Sequence, residues 1–338
     1  MRISVGLSIE METFSPSNRY IVHEQLGRGG MAVVHRAEDP LGRVVALKRL
    51  LPHDGFDIDF SILRTFIEEA RLATRFHHTN IAKTYRLGKL DDRYFIEMEY
   101  LPGPTLAQLA VRSKLAGPLP VSVVIQILIQ VCDALHYLHN LCDDDGFPLG
   151  LVHRDVSMSN IIITGPGTVK LIDFGVVKGH SSQAPTQAGR IKGKLGYVAP
   201  EYLDGQIDCR ADLFAVGVIA HELLTGRRLF HRDEDLDTLQ RIRTLPIAPP
   251  SHTRPSVPLE VDAIVMTALA RDPDRRWQSA REVRDALISL QNRPADPSSI
   301  RSWIDWAFGD ALQALSDLEH ATRTVDLEAQ LIGSEPAA

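Results

Sequence analysis

The chain has 338 residues, 44% apolar and 24% charged, so it can bury a sizeable core and reads as one large two-lobed domain or two ordinary ones. A net charge of −6 without a basic block excludes nucleic acid and an anionic membrane surface as expected partners. Three widely spaced cysteines, Cys132, Cys142 and Cys209, suit neither a disulfide framework nor a zinc site and point to a reducing compartment.

Residues 1–17 read as a lead-in, and the pattern from Met1 to Glu12 is not that of a signal peptide. From Tyr20 an alternating run leads into Leu26-Gly27-Arg28-Gly29-Gly30, then Val33-Val34, then Val44-Val45-Ala46-Leu47-Lys48: strand, glycine turn, strand, turn, strand. Glycines let backbone N–H groups approach phosphates, and a following lysine can reach the phosphate oxygens. On its own, a Gly-rich hairpin is more often just a turn. Ile62, Phe66, Ala73 and Phe76 form a helical stripe over 60–76, with Glu69 inside it and Glu68 one step off. A carboxylate there needs a cationic partner or a route to water. Tyr94 to Leu101 reads as a strand that breaks at Pro102-Gly103. The apolar run 121–141 is interrupted by Gln126, Gln130, Asp133 and His136 and reads as a buried helix, not a membrane span. Asp143-Asp144-Asp145-Gly146 lacks calcium-loop spacing and reads as a solvated turn.

The densest stretch is His153-Arg154-Asp155-Val156-Ser157-Met158-Ser159-Asn160, followed by strands 161–164 and 168–172 and then Asp173-Phe174-Gly175. An Asp and an Asn five apart on one loop, with a second Asp beyond a hairpin, can place three oxygen ligands around a small volume, which suits a nucleotide with magnesium. A polar segment follows, with Ser181, Ser182 and Thr186, and closes at Gly193-Lys194 and Ala199-Pro200-Glu201. The run 213–224 reads as a helix buried on all sides, and 261–270 as a second core helix. Ser279 with Glu282 forms a capping box that opens a helix to about Leu290. Residues 291–297 are a linker, and Ile300, Trp303, Ile304, Ala307, Phe308, Ala311, Leu312 and Leu315 make an amphipathic stripe. That helix, 299–318, either docks on the chain's own lower lobe or binds a partner; two exposed Trp residues would be a sticky patch, which favours docking. An acidic tail completes 291–338.

The pattern H-R-D-x-x-x-x-N, then D-F-G, then A-P-E resembles the protein kinases, in particular the bacterial eukaryotic-like serine/threonine kinases, over residues 18–290. The resemblance implies an α+β, two-lobed fold, with a β-rich N-lobe (18–101) carrying one key helix and a mostly helical C-lobe (102–290). It implies an enzyme that transfers the γ-phosphoryl of ATP to serine or threonine hydroxyls of protein substrates, using Mg²⁺ or, alternatively, Mn²⁺. Asp155 would accept the hydroxyl proton, Asn160 and Asp173 would hold the metal, and Lys48, paired to Glu69, would hold the phosphates. Leu26, Gly27, Arg28, Gly29, Gly30, Val34, Ala46 and Met98 would surround the nucleotide, with the main chain of Glu99, Tyr100 and Leu101 on the adenine edge. Asp212 would hold the catalytic-loop backbone, Arg276 would pair with Glu201, and Thr186, ahead of Ser181 and Ser182, would be the activating phosphosite. Many such kinases carry a membrane anchor; none is found in this sequence, and a cytoplasmic location is expected.

Two departures stand out. The third glycine of the loop is Ala32, a mild change. Serine/threonine kinases also normally carry Lys two positions after the catalytic Asp and Thr after the glycine before the A-P-E tyrosine; here these are Ser157 and Lys194. Either the two have exchanged roles, Lys194 supplying charge and Ser157 the hydroxyl, or Lys194 is a solvated residue and catalysis is weak. The missing lysine also supports the rival reading of a pseudokinase, a nucleotide-binding or scaffolding module. The retained Lys48, Glu69, Asp155, Asn160 and Asp173 argue against it. A small-molecule kinase is disfavoured by the full segment and A-P-E.

Overall fold

The computed structural model describes residues 20–51, 60–90, 93–165, 167–174, 194–205, 207–290 and 298–307. The N-terminal lobe is an antiparallel sheet of order β1-β2-β3-β5-β4, built from β1 (Ile21–Arg28), β2 (Ala32–Glu38), β3 (Val44–Leu50), β4 (Thr84–Leu90) and β5 (Arg93–Glu99). Helix α1 (Phe60–Ala73) covers one face. Strand alternation decides which side chain goes where. Val45 and Leu47 join Tyr20, Ala37 and Phe95 on the outer face, whereas Leu50, Ala32 and Ile96 pack on Phe66 and Ala70 of α1. Lys48 shares the parity of Leu50 and stands in register between Val34 and Ile96, so it points to the α1 side. The outer face also buries Glu97, whose carboxylate is matched by Tyr20, by Arg86 at 2.8 Å and by Arg43 at 3.2 Å.

The C-terminal lobe contains α2 (Leu106–Ala116), α3 (Val121–His139), the hairpin β6 (Ile161–Thr164) and β7 (Thr168–Leu171), α4 (Arg210–Thr225), α5 (Asp235–Thr244), α6 (Pro250–Thr253), α7 (Leu259–Ala268) and α8 (Ala280–Ser289). Its core is laid on α4, where every residue from Ala211 to Leu224 is buried. Gly217 permits the crossing with α7, since a Cβ there would come within 2.9 Å of the Ala268 methyl. Helix α3 is apolar and long enough to cross a membrane by composition, yet most of it is buried against α4 and α8. Ser279 caps α8 by accepting from the Glu282 N–H, while Glu282 returns its bond to the N–H of Gln278. The acidic turn is a turn: Asp143 Oδ1 accepts from the N–H groups of Asp145 and Phe147, and Asp144 reaches Arg75 at 3.0 Å.

Residues 298–307 are helical and dock on this lobe. Ile300, Trp303, Ile304 and Ala307 enter its core, Ser299 donates to Gln126 (2.8 Å), and Arg112 donates to the Ala307 carbonyl (2.8 Å). Trp306 stays exposed, and the stripe from Phe308 to Leu315 lies outside the described residues.

The lobes are joined through Pro102-Gly103, where the chain crosses β6. A Cβ on Gly103 would lie 2.0 Å from the Ile163 carbonyl oxygen, while the Ile163 N–H donates to Pro104 (3.0 Å). Gly103→Ala must therefore push this connection off the hairpin, at a cost of about 1–3 kcal/mol. Thermal denaturation should show a lower Tm, and an unchanged Tm would mean the two backbones do not meet this closely.

Candidate active site

The loop 153–160 is held from below by one carboxylate. Asp212, in the first turn of α4, accepts from the N–H groups of His153 (2.8 Å) and Arg154 (2.9 Å) and pairs with His139 Nε2 at 2.8 Å. Burial would raise its pKa, but the His139 and His153 contacts outweigh that and hold it below the usual carboxylate range. The anchor keeps Arg154 at φ 64°, a left-handed conformation uncommon outside glycine. His153 is fully buried, accepts from the Asp155 N–H through Nδ1 (3.2 Å) and lies against Phe174, its ring 4.8 Å away. Burial lowers its pKa and keeps the imidazole neutral. His153 Nε2 and Arg154 Nε are buried without a hydrogen-bond partner among the described residues.

Above the loop the charged groups converge. Asn160 Nδ2 donates to the Asp155 carbonyl (2.9 Å), which turns Asn160 Oδ1 toward Lys194 Nζ at 3.1 Å. The same ammonium lies 2.7 Å from Asp155 Oδ2. Ser157 is buried, with its hydroxyl 3.1 Å from that of Ser159. Lys48 Nζ is shared between Glu69 Oε1 (2.7 Å) and Asp173 Oδ1 (2.9 Å). Burial acts to discharge Lys48; Asp173 and Glu69 overcome it and raise its pKa. The Lys48 charge holds Asp173 low, whereas burial pushes Glu69 up. Among the described residues no group of three or more His, Cys, Asp or Glu could hold a metal by itself. Asn160 and Asp173 fit a magnesium ion of the kind that takes one or two protein oxygens and completes its shell from phosphates and water.

On the nucleotide side, Gly27 pairs with Val34 and the Gly29 N–H donates to the Ala32 carbonyl (2.8 Å), closing the glycine hairpin over the cleft edge. Ala46 pairs with Met98 across β3 and β5, so these two share the cleft face with Lys48. On the expected adenine edge, the Glu99 N–H donates to Lys83 O (2.8 Å), which leaves the Glu99 carbonyl as the group it can offer a ligand. The Glu99 carboxylate turns away, to Lys170 at 2.9 Å and to the Lys83 N–H at 3.0 Å.

A family profile described as "Protein kinase domain" matches residues 20–287. The chain belongs to the protein kinase family. This kinase domain is 40% identical over 280 residues to "Tyrosine-protein kinase MasK" of Myxococcus xanthus, covering 80% of this chain and 43% of that protein. It is 34% identical over 284 residues to "Serine/threonine-protein kinase PknB" of Mycobacterium leprae, covering 82% of this chain and 43% of that one. The chain thus spans less than half the length of these curated relatives. Among solved structures it is similar to the Mycobacterium tuberculosis PknI kinase domain, with a TM-score of 0.61, 28% identity, and 84% of this chain and 100% of that one covered.

The kinase domain places Lys48 with Glu69 and Asp173, and Asp155 with Asn160 and Lys194, the last being the residue that departs from the family pattern. Arg276 pairs with Glu201 through two contacts of 2.6 Å, and its other donors go to the carbonyls of Ala270, Arg210 and Arg271, so all five N–H groups are used. Ser181, Ser182, Thr186 and Gly193 lie outside the described residues. His139 and Lys170 escaped the sequence reading.

Asp212→Asn replaces an all-acceptor group by one that presents an NH₂ to a donor. Losing hydrogen bonds to a charged acceptor should cost about 1.5–3 kcal/mol, measurable by urea denaturation. The sign with pH follows from the lowered pKa. Asp212 contributes fully above its unfolded value of 3.8, and the contribution is lost as pH falls below that through the folded value. The variant should therefore lose stability less steeply than the parent below about pH 4; parallel acid profiles would overturn the assignment.

Proposed function

We propose that the chain transfers the γ-phosphoryl group of ATP to serine and threonine hydroxyls of proteins. The observation that carries the reading is the sharing of Lys48 between Glu69 and Asp173, because it sets a buried, protonated amine beside a metal-ligand carboxylate. In the transfer, the substrate hydroxyl oxygen bonds the γ-phosphorus as the phosphorus bond to the bridging oxygen breaks. ADP leaves with that electron pair, and the hydroxyl proton passes to Asp155. Lys48 and the backbone of Gly27 and Gly30 orient the phosphates, and Ala46 and Met98 line the base. Asn160 and Asp173 would hold Mg²⁺, which neutralises phosphate charge when bound. A pseudokinase has no need of Asp155, Asn160, Asp173, Lys48 and Glu69 all held at bonding distance. Free cysteines and dependence on ATP suit the cytoplasm.

Serine/threonine selectivity is supported by relatives named as such and by the absence of the A-A-R and R-A-A loop variants typical of tyrosine kinases. The similarity to a protein named a tyrosine kinase keeps tyrosine as the second acceptor to test.

Incubation with γ-labelled ATP, Mg²⁺ and a generic protein substrate, followed by phosphoamino-acid analysis, tests both statements. Label should appear on phosphoserine and phosphothreonine. Lys48→Met should reduce transfer by about 10²-fold or more. Leaving Glu69 without its partner should cost only ~1–3 kcal/mol, so the variant stays folded. Undiminished transfer would overturn the role of Lys48, and label on phosphotyrosine alone would overturn the acceptor class.

A further inference from the structure

The catalytic loop carries no lysine. At the position two after Asp155 stands Ser157, buried and facing Ser159. The cation nearest Asp155 comes instead from outside the loop: Lys194 Nζ is 2.7 Å from Asp155 Oδ2 and 3.1 Å from Asn160 Oδ1. Its backbone is fixed independently of that ion pair. The Tyr197 N–H donates to the Lys194 carbonyl (3.1 Å), closing the turn Leu195–Tyr197, all of it buried. Tyr197 OH donates to Glu222 (3.2 Å) and accepts from Arg228 (2.5 Å), while Glu222 also accepts the Leu229 N–H (2.9 Å). A solvated lysine would sample many rotamers, and fixing a long chain between two partners costs side-chain entropy. Here the turn delivers the stem to the cleft, and the ammonium bridges the expected proton acceptor and an expected metal ligand.

We propose that Lys194 is the catalytic cation of this kinase, carried on the segment that ends at Ala199-Pro200-Glu201 and replacing the absent catalytic-loop lysine. The proposal rests on the phosphoryl-transfer reading above. Lys194 neutralises charge on the transferring phosphoryl group and holds the Asp155 carboxylate against the acceptor hydroxyl. Two consequences follow. Completion of the active site depends on the placement of the Leu195–Tyr197 turn, since the catalytic loop alone lacks this charge. The ammonium also donates to Asn160 Oδ1, at 3.1 Å, and would compete with a divalent cation for that atom.

The test uses the full chain. Steady-state kcat and KM for ATP and for a generic protein substrate are measured for the parent, Lys194→Ala, the double variant Ser157→Lys with Lys194→Thr, and Asp155→Asn as the inactive reference. Mn²⁺ affinity is measured separately by electron paramagnetic resonance without nucleotide, and Tm is recorded for each protein. Lys194→Ala should lower kcat by ~10²–10³-fold with KM for ATP within a few-fold of the parent. It should also bind Mn²⁺ more tightly, which a merely structural lysine would not produce. The double variant should recover kcat to within about tenfold of the parent. A Lys194→Ala protein within a few-fold of the parent in kcat overturns the proposal and leaves the kinase reading standing. So does a loss confined to proteins with a collapsed Tm together with unchanged Mn²⁺ affinity. A parent no more active than Asp155→Asn overturns the kinase reading, and this proposal with it.

Discussion

Asp212 accepts three hydrogen bonds from residues far from it in sequence, and the catalytic loop takes its shape from them. An ionised carboxylate buried without partners costs several kcal/mol, so the groups that satisfy Asp212 are strongly constrained in place. Its own position is set by α4, whose residues from Ala211 to Leu224 are all buried. Close packing on every side leaves that helix little freedom to shift. The loop bearing Asp155 and Asn160 therefore inherits the rigidity of the lobe's core, although most of its residues belong to no helix or strand. Asn160 carries the restraint further, through its bond to the Asp155 carbonyl and through its own carbonyl, which accepts the Ile172 N–H at 2.9 Å.

A second constraint joins the lobes. Lys48 lies on β3, Glu69 on α1 and Asp173 beyond β7, so one ammonium ties the sheet, its helix and the C-terminal lobe together. One cation serves two acids, and they are not treated alike: Asp173 is held low by the lysine, while burial pushes Glu69 up. Lys48 Nζ bonds both, at 2.7 Å to Glu69 and 2.9 Å to Asp173, so the two carboxylates together fix the amine between the sheet, α1 and the C-terminal lobe.

Much of this was legible in the sequence, because loop spacing and helical periodicity are local. The helical stripe picked Glu69 over Glu68, and the family resemblance supplied Lys48 as its partner; Glu68 lies at the surface with Arg64 one turn away, at 2.8 Å. Helix α4 begins at Arg210, before the apolar run, because Asp212 sits in its first turn, where a carboxylate suits the helix N-terminus. Helices α2 and α5 escaped the reading for different reasons. In α5 the buried positions are few, Thr238 and Ile242, so it has almost no apolar stripe, whereas α2 announces itself by the Thr105 and Gln108 capping box, a signal available but not used. His139 and Lys170 could not have been found locally. Their partners are 73 and 71 residues away, and nothing near them in the chain marks the pairing.

Backbone strain connects the two constraints. The only described non-glycine residues at positive φ are Arg154, at 64°, and Asp173, at 55°. Each such conformation costs of order ~1–3 kcal/mol and persists only where its surroundings over-determine it. Arg154 is held by the bond from its N–H to Asp212, and Asp173 by the Lys48 ammonium on its carboxylate. One strained residue immediately precedes Asp155, and the other is itself the proposed metal ligand. The buried charges of Asp212 and Lys48 thus oppose a local preference of the chain, and the oxygens that would meet phosphate and metal are aimed before either arrives. Reorganisation that would otherwise raise the barrier to the proposed transfer would then be completed during folding.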